Sequence, residues 1–374
     1  MVEICAYYYP GWHDRPDVSY SEWDLVRNAQ PYFDGHYQPR VPLGGYYDDT
    51  QRSTVEAQAT LASSYGIDAF IFLWYWKRGR IELDESLNQF THINPPMRFS
   101  LMWCWKMPKA DLPAVPGRES ELERQRWVET DAQDFARMID HCCARYFSNS
   151  GYRTVGGKPI LLLYSVEGFQ AQLGDEQLRA MLRAGRLRAQ AAGLPGLYLV
   201  GVTKSTVDVG DLGFDALTGY NSILDPTEKG SYLKDYADLV PRRVRAWQEM
   251  SRLNALPYVP SVSPGWDATA RGIRVESLHA ELDFPWVPIV DRSTPESFGD
   301  FLHAAYDWIG ESGQLPFIHL CAWNEWSEGA YLEPDQKYGD AYLAMIRDVR
   351  RSRDRLKMVA IENATAGVRR GVRP

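Results

Sequence analysis

Short apolar runs that alternate with longer amphipathic segments organise this sequence. The runs are rich in β-branched and aromatic residues, which is typical of buried strands. They lie at residues 3–9, 69–74, 99–103, 159–164, 197–202, 216–219, 258–262 and 317–322. Strands that alternate with helices must pair in parallel through crossover connections, and eight repeats favour a closed barrel over an open doubly wound sheet. We therefore predict a (β/α)8 barrel of the α/β class.

The segments between the runs complete this pattern. Clear helical periodicity covers residues 50–65, 127–147, 175–192, 234–253, 295–310 and 338–356, and weaker helices are predicted at 83–90 and 206–212. Long loops rich in Pro and Gly follow three of the strands, at 10–49, 106–126 and 263–294. A barrel carries its active site at this end of the strands. We predict one barrel domain over 1–357, with long strand-to-helix loops, and a flexible tail over 358–374.

Charge and composition exclude several functional classes. The net charge is -8, and acidic and basic residues are interspersed, which argues against nucleic-acid binding. No apolar run approaches the roughly 20 residues of a membrane helix, so we expect no membrane association. No signal-peptide pattern precedes the first strand, so we expect a cytoplasmic protein. If a signal peptide has been removed, the protein would be secreted or periplasmic. The oligomeric state is left open.

Neither a metal nor an organic cofactor is expected. The five cysteines lack CxxC spacing, which predicts free thiols in the core. The glycines of Gly210–Gly213 lack the GxGxxG spacing of dinucleotide sites.

The candidate catalytic residues are Glu325 and Glu328, which follow the last strand in the sequence Trp-Asn-Glu-Trp-Ser-Glu-Gly. On a helical turn their Cβ atoms would lie about 5–6 Å apart, near the ~5–5.5 Å carboxylate separation of retaining glycosidases and below the ~6.5–9.5 Å of inverting ones. Two close carboxylates cannot both ionise freely, so the pKa of one should rise. Alternatively one of them is structural, and Asp267 or Glu167 supplies the second carboxylate.

Aromatic residues at the strand ends are candidates for sugar binding. The 13 Trp and 22 Tyr exceed what a core readily absorbs, since each carries a polar atom that needs a partner. The predicted substrate-binding residues are Tyr8, Trp74, Tyr75, Trp76, Trp103, Trp105, Tyr220, Asn221, Trp266, Trp323, Asn324 and Trp326, together with His36, Tyr37 and Asp267 in loops. Asp267 either accepts hydrogen bonds from sugar hydroxyls or fixes its own turn.

These motifs resemble the glycoside hydrolase family 99-like group, which includes WbsX-type proteins. The resemblance runs through segments 6–10, 35–40, 65–68, 157–159, 263–267, 323–329 and 332–334. It implies a (β/α)8 barrel in which Glu325 takes the proton of the sugar 2-OH, O2 attacks the anomeric carbon to give a 1,2-anhydro sugar, and Glu328 acts as general acid and then as base.

Two positions depart from the family pattern. Ser327 stands where the endo-α-mannosidases tend to have His, and residues 102–106 (Met-Trp-Cys-Trp-Lys) replace the Trp-Ala-Asn-Glu of WbsX-like proteins. The resemblance therefore leaves the sugar unassigned. The sequence predicts a retaining glycoside hydrolase that acts on a poly- or oligosaccharide. The alternatives are a glycosyltransferase or transglycosylase of polysaccharide biosynthesis and a non-catalytic carbohydrate-binding barrel, which would tolerate loss of either Glu.

Overall fold

Nine parallel strands form a nearly closed barrel in the computed structural model, which describes residues 2–16, 18–109, 111–118, 124–203, 206–224, 231–312 and 314–371. The strands are β1 (Glu3–Tyr8), β2 (Ala69–Lys77), β3 (Arg98–Cys104), β4 (Lys158–Tyr164), β5 (Tyr198–Val202), β6 (Ala216–Thr218), β7 (Tyr258–Val259), β8 (Ser261–Val262) and β9 (Phe317–Leu320). Neighbours pair in the order β7-β6-β5-β4-β3-β2-β1-β9-β8. The predicted α/β barrel is confirmed.

The seventh predicted strand is divided into β7 and β8 by Pro260. Proline has no backbone N–H and cannot donate to a strand ladder. Its carbonyl still accepts a hydrogen bond of 2.9 Å from the backbone of His319. Before the proline the chain pairs with β6, and after it with β9. One continuous segment thus joins the two ends of the strand order.

Helices cover the outside of the barrel and part of the end at which the carboxyl ends of the strands lie. They are α1 (Glu22–Asn28), α2 (Arg52–Ser64), α3 (Glu85–Ile93), α4 (Ala132–Cys142), α5 (Val166–Ala191), α6 (Tyr236–Asn254), α7 (Pro295–Ser312) and α8 (Ala341–Gly371). Helix α1 lies inside the first long loop and was not predicted. A capping box starts it, because Ser21 accepts from the backbone of Asp24 and Asp24 accepts from that of Ser21.

Several helix boundaries differ from the prediction. Helix α5 begins nine residues before position 175, and a kink at Gly174, whose φ is 70°, hides this first part from a periodicity search. The predicted helix 127–147 is α4 followed by a π-helical turn, Cys143–Phe147. The predicted helix 206–212 is only a 3-10 turn, Gly210–Leu212.

Three further predictions concern the C-terminal tail, the cysteines and membrane helices. Helix α8 continues to Gly371, and residues 372–374 lie outside the described part, so the flexible tail over 358–374 stays a prediction. The five cysteines are free thiols, as predicted. Across the described ranges, no helix has the length and apolar character needed to cross a membrane.

Candidate active site

A cleft of about 550 Å³ opens at the carboxyl ends of the barrel strands. Its wall combines strand ends with residues of the three long loops. The residues that line it are Tyr9, Glu22, Leu73, Tyr75, Cys104, Trp105, Lys106, Pro108, Lys109, Leu112, Arg126, Tyr164, Thr203, Tyr220, Asn221, Leu224, Trp266, Arg271, Phe284, Val287, Pro288, Glu325 and Glu328. Glu325 and Glu328 therefore face the same cavity.

A tight hairpin after β9 presents these two glutamates. Asn324–Glu325 pairs antiparallel with Ala330–Tyr331, and a 3-10 turn, Trp326–Glu328, connects the two short strands. Gly329 ends the turn with a φ of 60°, and a Cβ there would lie 2.7 Å from the Arg40 guanidinium. Only glycine satisfies both the left-handed backbone and this close approach.

Arg271 links the acidic residues of the cleft. Its Nη1 pairs with Glu328, its Nη2 lies 3.5 Å from Glu325 Oε2, and the same nitrogen lies 3.8 Å from Glu22 Oε2. Its Nε donates to the Ser327 hydroxyl at 2.9 Å. One guanidinium, 14% exposed, thus stands among three nearly buried carboxylates.

The pKa of the Glu325 carboxyl is raised to about 8, first because burial disfavours its charged form and then because Glu328 repels a second negative charge. Arg271 and the Tyr220 hydroxyl, which donates to Glu325 Oε1 at 2.5 Å, oppose this shift. Glu325 Oε2 is buried and accepts no hydrogen bond from the described residues, although Arg271 Nη2 lies 3.5 Å away. The site therefore holds a carboxyl that exchanges its proton near neutral pH and has a lone-pair oxygen available to a ligand.

This raised pKa predicts that the protein loses stability as the pH rises. Between the usual value of 4.5 and about 8 the folded chain keeps a proton on Glu325 that the unfolded chain has released, so the free energy of unfolding falls with pH across that window. One such group contributes at most roughly 1.4 kcal/mol per pH unit. Urea unfolding from pH 4.5 to 8 should show a shallower decline for Glu325→Gln, and an unchanged slope would contradict the assigned protonation.

Five of the predicted binding residues line the cleft. They are Tyr75, Trp105, Tyr220, Asn221 and Trp266. The Trp105 indole covers Gly168, where a Cβ would lie 2.2 Å from the ring, so the first turn of α5 needs a glycine beneath this indole. Trp266 packs near Phe284, with ring centroids 6.3 Å apart. Trp105 forms one aromatic part of the cleft wall, and Trp266 with Phe284 forms another.

Four other predicted aromatics lie on the outer face of the barrel, which corrects their assignment to the cleft. Tyr8 packs on Phe70 and Phe72. Trp74 and Trp76 pack against His141 next to the end of α4, and Trp103 stacks on Phe135 of the same helix. Side chains alternate between the two faces of a strand, so Tyr9, Leu73 and Tyr75 point inward while their neighbours point outward.

The other three residues of the Trp-Asn-Glu-Trp segment pack and form hydrogen bonds with residues behind the cleft wall. Trp323 is buried against Phe70. The Asn324 amide makes two hydrogen bonds, of 2.7 and 2.9 Å, with the backbone of Tyr9 and fixes the end of β1. Trp326 donates to Glu333 at 2.7 Å and stacks on Tyr331. None of the three is among the residues that line the cleft, although the sequence predicts all three as substrate-binding residues.

Asp267, His36 and Tyr37 lie beside a second, smaller cavity of about 190 Å³, which shares Trp266 with the cleft. The Asp267 carboxylate is 2.8 Å from His36 Nε2 and 2.9 Å from Arg40 Nη2. Asp267 also accepts from the backbone and hydroxyl of Thr269, an Asx-type turn. Arg40 keeps the pKa of this buried carboxyl far below its usual range. These contacts favour the turn-fixing alternative.

The other alternative carboxylate, Glu167, is not in the cleft. It accepts from the Ser165 hydroxyl at 2.7 Å in the first turn of α5. Among the described residues, a group that could hold a cation consists of His13, Asp48 and Asp49, whose ligand atoms lie within 4.8 Å of one another. None of these three residues lines the cleft. Asp49 pairs with His13 at 2.6 Å, and Asp48 accepts from Thr50 and Gln51.

Comparisons with known proteins fit this geometry. A family model described as glycosyltransferase WbsX matches residues 4–346. Proteins described as uncharacterized WxcX, from two strains of Xanthomonas campestris pv. campestris, are 28% and 29% identical, over 92% of this chain and 49% of their own length. The chain thus spans about half the length of these curated relatives.

Solved structures share the barrel. The GH99 endo-alpha-mannosidase from Bacteroides thetaiotaomicron is similar with a TM-score of 0.62 and 16% identity, over 94% of this chain and 97% of that one. A structure described as a glycoside hydrolase-like protein gives a TM-score of 0.60 at 16% identity, over 93% of each chain. At this identity the likeness establishes the common fold.

Proposed function

The chain belongs to the glycosyltransferase WbsX family, and on this premise we propose that it is a retaining glycoside hydrolase that cleaves a poly- or oligosaccharide. One observation carries the proposal: Glu325 and Glu328 line one cleft and pair with one guanidinium, and the pKa of Glu325 is raised to about 8. Cleavage of a glycosidic bond needs one carboxyl that carries a proton and one that is ionised, and the proposed reaction starts from the form of this pair in which Glu328 carries the proton.

The proposed reaction has two steps. Ionised Glu325 takes the proton from the sugar 2-OH, O2 attacks the anomeric carbon, and Glu328 gives a proton to the leaving oxygen, so a 1,2-anhydro sugar and a free hydroxyl form. Glu328 then accepts a proton from water while the water opens the anhydro ring and Glu325 returns its proton to O2. Two inversions at the anomeric carbon give net retention. Arg271 holds both carboxylates during the exchange.

Transfer to an acceptor is the second candidate, because the matching family model is described as a glycosyltransferase. An acceptor hydroxyl would replace water in the second step, and the same two glutamates would act. The endo-alpha-mannosidase that shares the fold favours hydrolysis, without implying mannose for this chain.

Product analysis on a glycan panel tests the proposal. Neutral and acidic polysaccharides, with and without oligosaccharide acceptors, are incubated with the pure protein, and products are identified by mass and by the NMR signal of the first-formed anomer. We expect shorter glycans with retained configuration. Products that carry an added acceptor in excess of hydrolysis would favour transfer, and inverted anomers would contradict the two-step route.

The acid limb of the pH profile should report Glu325. Since only the ionised carboxylate can take the O2 proton, kcat/KM should rise with pH towards about 8. Tyr220→Phe removes a donor that stabilises the carboxylate, so the pKa rises further and the limb should move to higher pH. Tyr20→Phe is the matched control, because its hydroxyl donates to the Lys109 carbonyl instead. An equal shift in both variants would argue against this role of Tyr220.

A further inference from the structure

Three oxygen atoms in the wall of the cleft accept no hydrogen bond from the described residues. They are Glu22 Oε2, Asn221 Oδ1 and Glu325 Oε2, and each of these atoms is buried. A buried acceptor without a donor is costly, whereas the hydroxyl groups of a sugar are donors. We propose that Glu22 binds a hydroxyl group of the sugar ring that reacts at Glu325, and that it selects a ring in which this hydroxyl is free. This inference rests on the proposed function and deepens it.

The Glu22 carboxylate is held in place by groups that leave Oε2 unused. Glu22 is the first residue of α1, and the capping box of Ser21 and Asp24 fixes the backbone there. Its Oε1 accepts a hydrogen bond of 3.1 Å from the hydroxyl of Tyr9, which also lines the cleft. The Glu22 side chain is only 9% exposed. Because these contacts fix the backbone and Oε1, the second oxygen remains available to a ligand.

Arg271 gives Glu22 a counter-charge but no hydrogen bond. The Nε of Arg271 donates to Ser327, and its Nη1 pairs with Glu328. Its Nη2 lies 3.8 Å from Glu22 Oε2 and 3.5 Å from Glu325 Oε2, and neither oxygen is hydrogen-bonded to it. The two oxygens thus share one guanidinium nitrogen as a near neighbour. A ring that presents its 2-OH to Glu325 therefore brings a second hydroxyl within reach of Glu22.

Asn221 repeats this arrangement in the loop after β6. Its Nδ2 donates to the Gly265 carbonyl at 3.4 Å, which orients the amide and leaves Oδ1 as an acceptor. Acceptor oxygens therefore reach the cleft from α1, from the loop after β6 and from the hairpin after β9. A ring with free hydroxyl groups can donate to such oxygens, whereas a deoxygenated, methylated or acylated position cannot.

Deoxy sugars test this role without requiring catalysis. The methyl α- and β-glycosides of mannose, glucose and galactose are compared with their 3-, 4- and 6-deoxy forms, and titrations followed by saturation-transfer difference NMR give the dissociation constants. The proteins are the wild type, Glu22→Leu and, should leucine perturb the fold, Glu22→Gln. Glu82→Leu is the matched control, because Glu82 does not line the cleft and its two oxygens pair with Arg15 and Arg80.

We expect a parent sugar to bind the wild type, and one of its deoxy forms to bind roughly 10- to 100-fold more weakly, as for loss of a hydrogen bond to a charged group. Glu22→Leu should bind the parent sugar more weakly by a similar factor. It should no longer distinguish the parent from that deoxy form, because the acceptor for the missing hydroxyl is gone. Glu22→Gln should lose part of the same discrimination, and Glu82→Leu should match the wild type.

The other outcomes separate this role of Glu22 from the proposed function. Unchanged discrimination in the Glu22 variants, or binding of none of these sugars, would overturn the role. If discrimination is unchanged and the acid limb of the pH profile moves to lower pH, Glu22 acts only by repelling the charge of Glu325. Discrimination that depends on Glu22, with no cleavage of any glycan in the panel, would keep the binding role and overturn the hydrolase. Cleavage of a glycan without such discrimination would do the reverse.

Discussion

Glu328→Gln is expected to lower kcat/KM on natural glycosides by about 10²–10⁴, the usual contribution of general acid catalysis. The amide keeps the size of the side chain and can still meet Arg271 through its oxygen, but it cannot give a proton to the leaving sugar. A synthetic glycoside whose leaving group needs no proton should therefore be cleaved in the first step at nearly the wild-type rate.

Glu325→Gln provides the matched comparison. The anhydro-sugar route needs a base on O2 before any leaving group departs, so this variant should be severely slowed on natural and synthetic substrates alike. Equal and small losses in both variants, with sugar binding retained, would indicate a carbohydrate-binding barrel whose carboxylates only hold hydroxyls. Circular dichroism of both variants separates these losses from unfolding.

The order of the barrel strands could be predicted because each strand carries its own local signal. An apolar run of a few residues, followed by an amphipathic segment, is sufficient to define one repeat of a parallel barrel. The same local information also located Glu325 and Glu328, which follow the last strand in one short motif. Pro260 was visible in the sequence, but its effect depends on the two neighbouring strands and not on the run itself.

Side-chain direction was the main error at the site, although the period of a strand is fixed. The clustering of aromatic residues at strand ends predicts Tyr8, Trp74 and Trp103 as cleft residues, whereas the alternation of side chains places Tyr9, Leu73 and Tyr75 on the inner face. Once one inward-facing residue of a strand is known, the alternation assigns every other side chain of that strand to the inner or the outer face. The interior is occupied by Tyr7, whose hydroxyl donates to the Gly219 carbonyl across the barrel at 2.9 Å.

The charge network could not be predicted from the sequence. Glu22 and Arg271 lie in two different long loops, and they meet only because both loops fold over the same end of the barrel. No spacing relates them, and an isolated Arg in a Pro- and Gly-rich loop gives no functional signal. Ser327, where the chain departs from the family pattern, contacts the same guanidinium, so the departure lies at the centre of the site.

Removal of Arg271 should have the largest effect on stability. Arg271→Met leaves Glu22, Glu325 and Glu328 close together in a nearly buried cluster without their shared counter-charge, and breaking a buried ion pair in this way costs roughly 3–5 kcal/mol. The loss should be largest at alkaline pH and should shrink as the pH falls, since protonated carboxyls no longer repel one another. Urea unfolding at several pH values measures it. Arg188→Met, which breaks a half-exposed pair with Asp140, should lower the free energy of unfolding far less than Arg271→Met does.

A double-mutant cycle then separates repulsion from lost packing. If the cost of Arg271→Met arises from uncompensated carboxylates, adding Glu22→Gln must restore part of the free energy of unfolding, because one of the three negative charges is gone. Strictly additive effects of the two substitutions would show that the guanidinium acts through its packing alone. In the restored double variant the pKa of Glu325 should still lie above that of the wild type, because Glu328 continues to repel its charge while Arg271 no longer attracts it. The acid limb of the pH profile would then move to higher pH even though the fold is intact. Such a shift would show that Arg271 sets the pKa of Glu325, the proposed base.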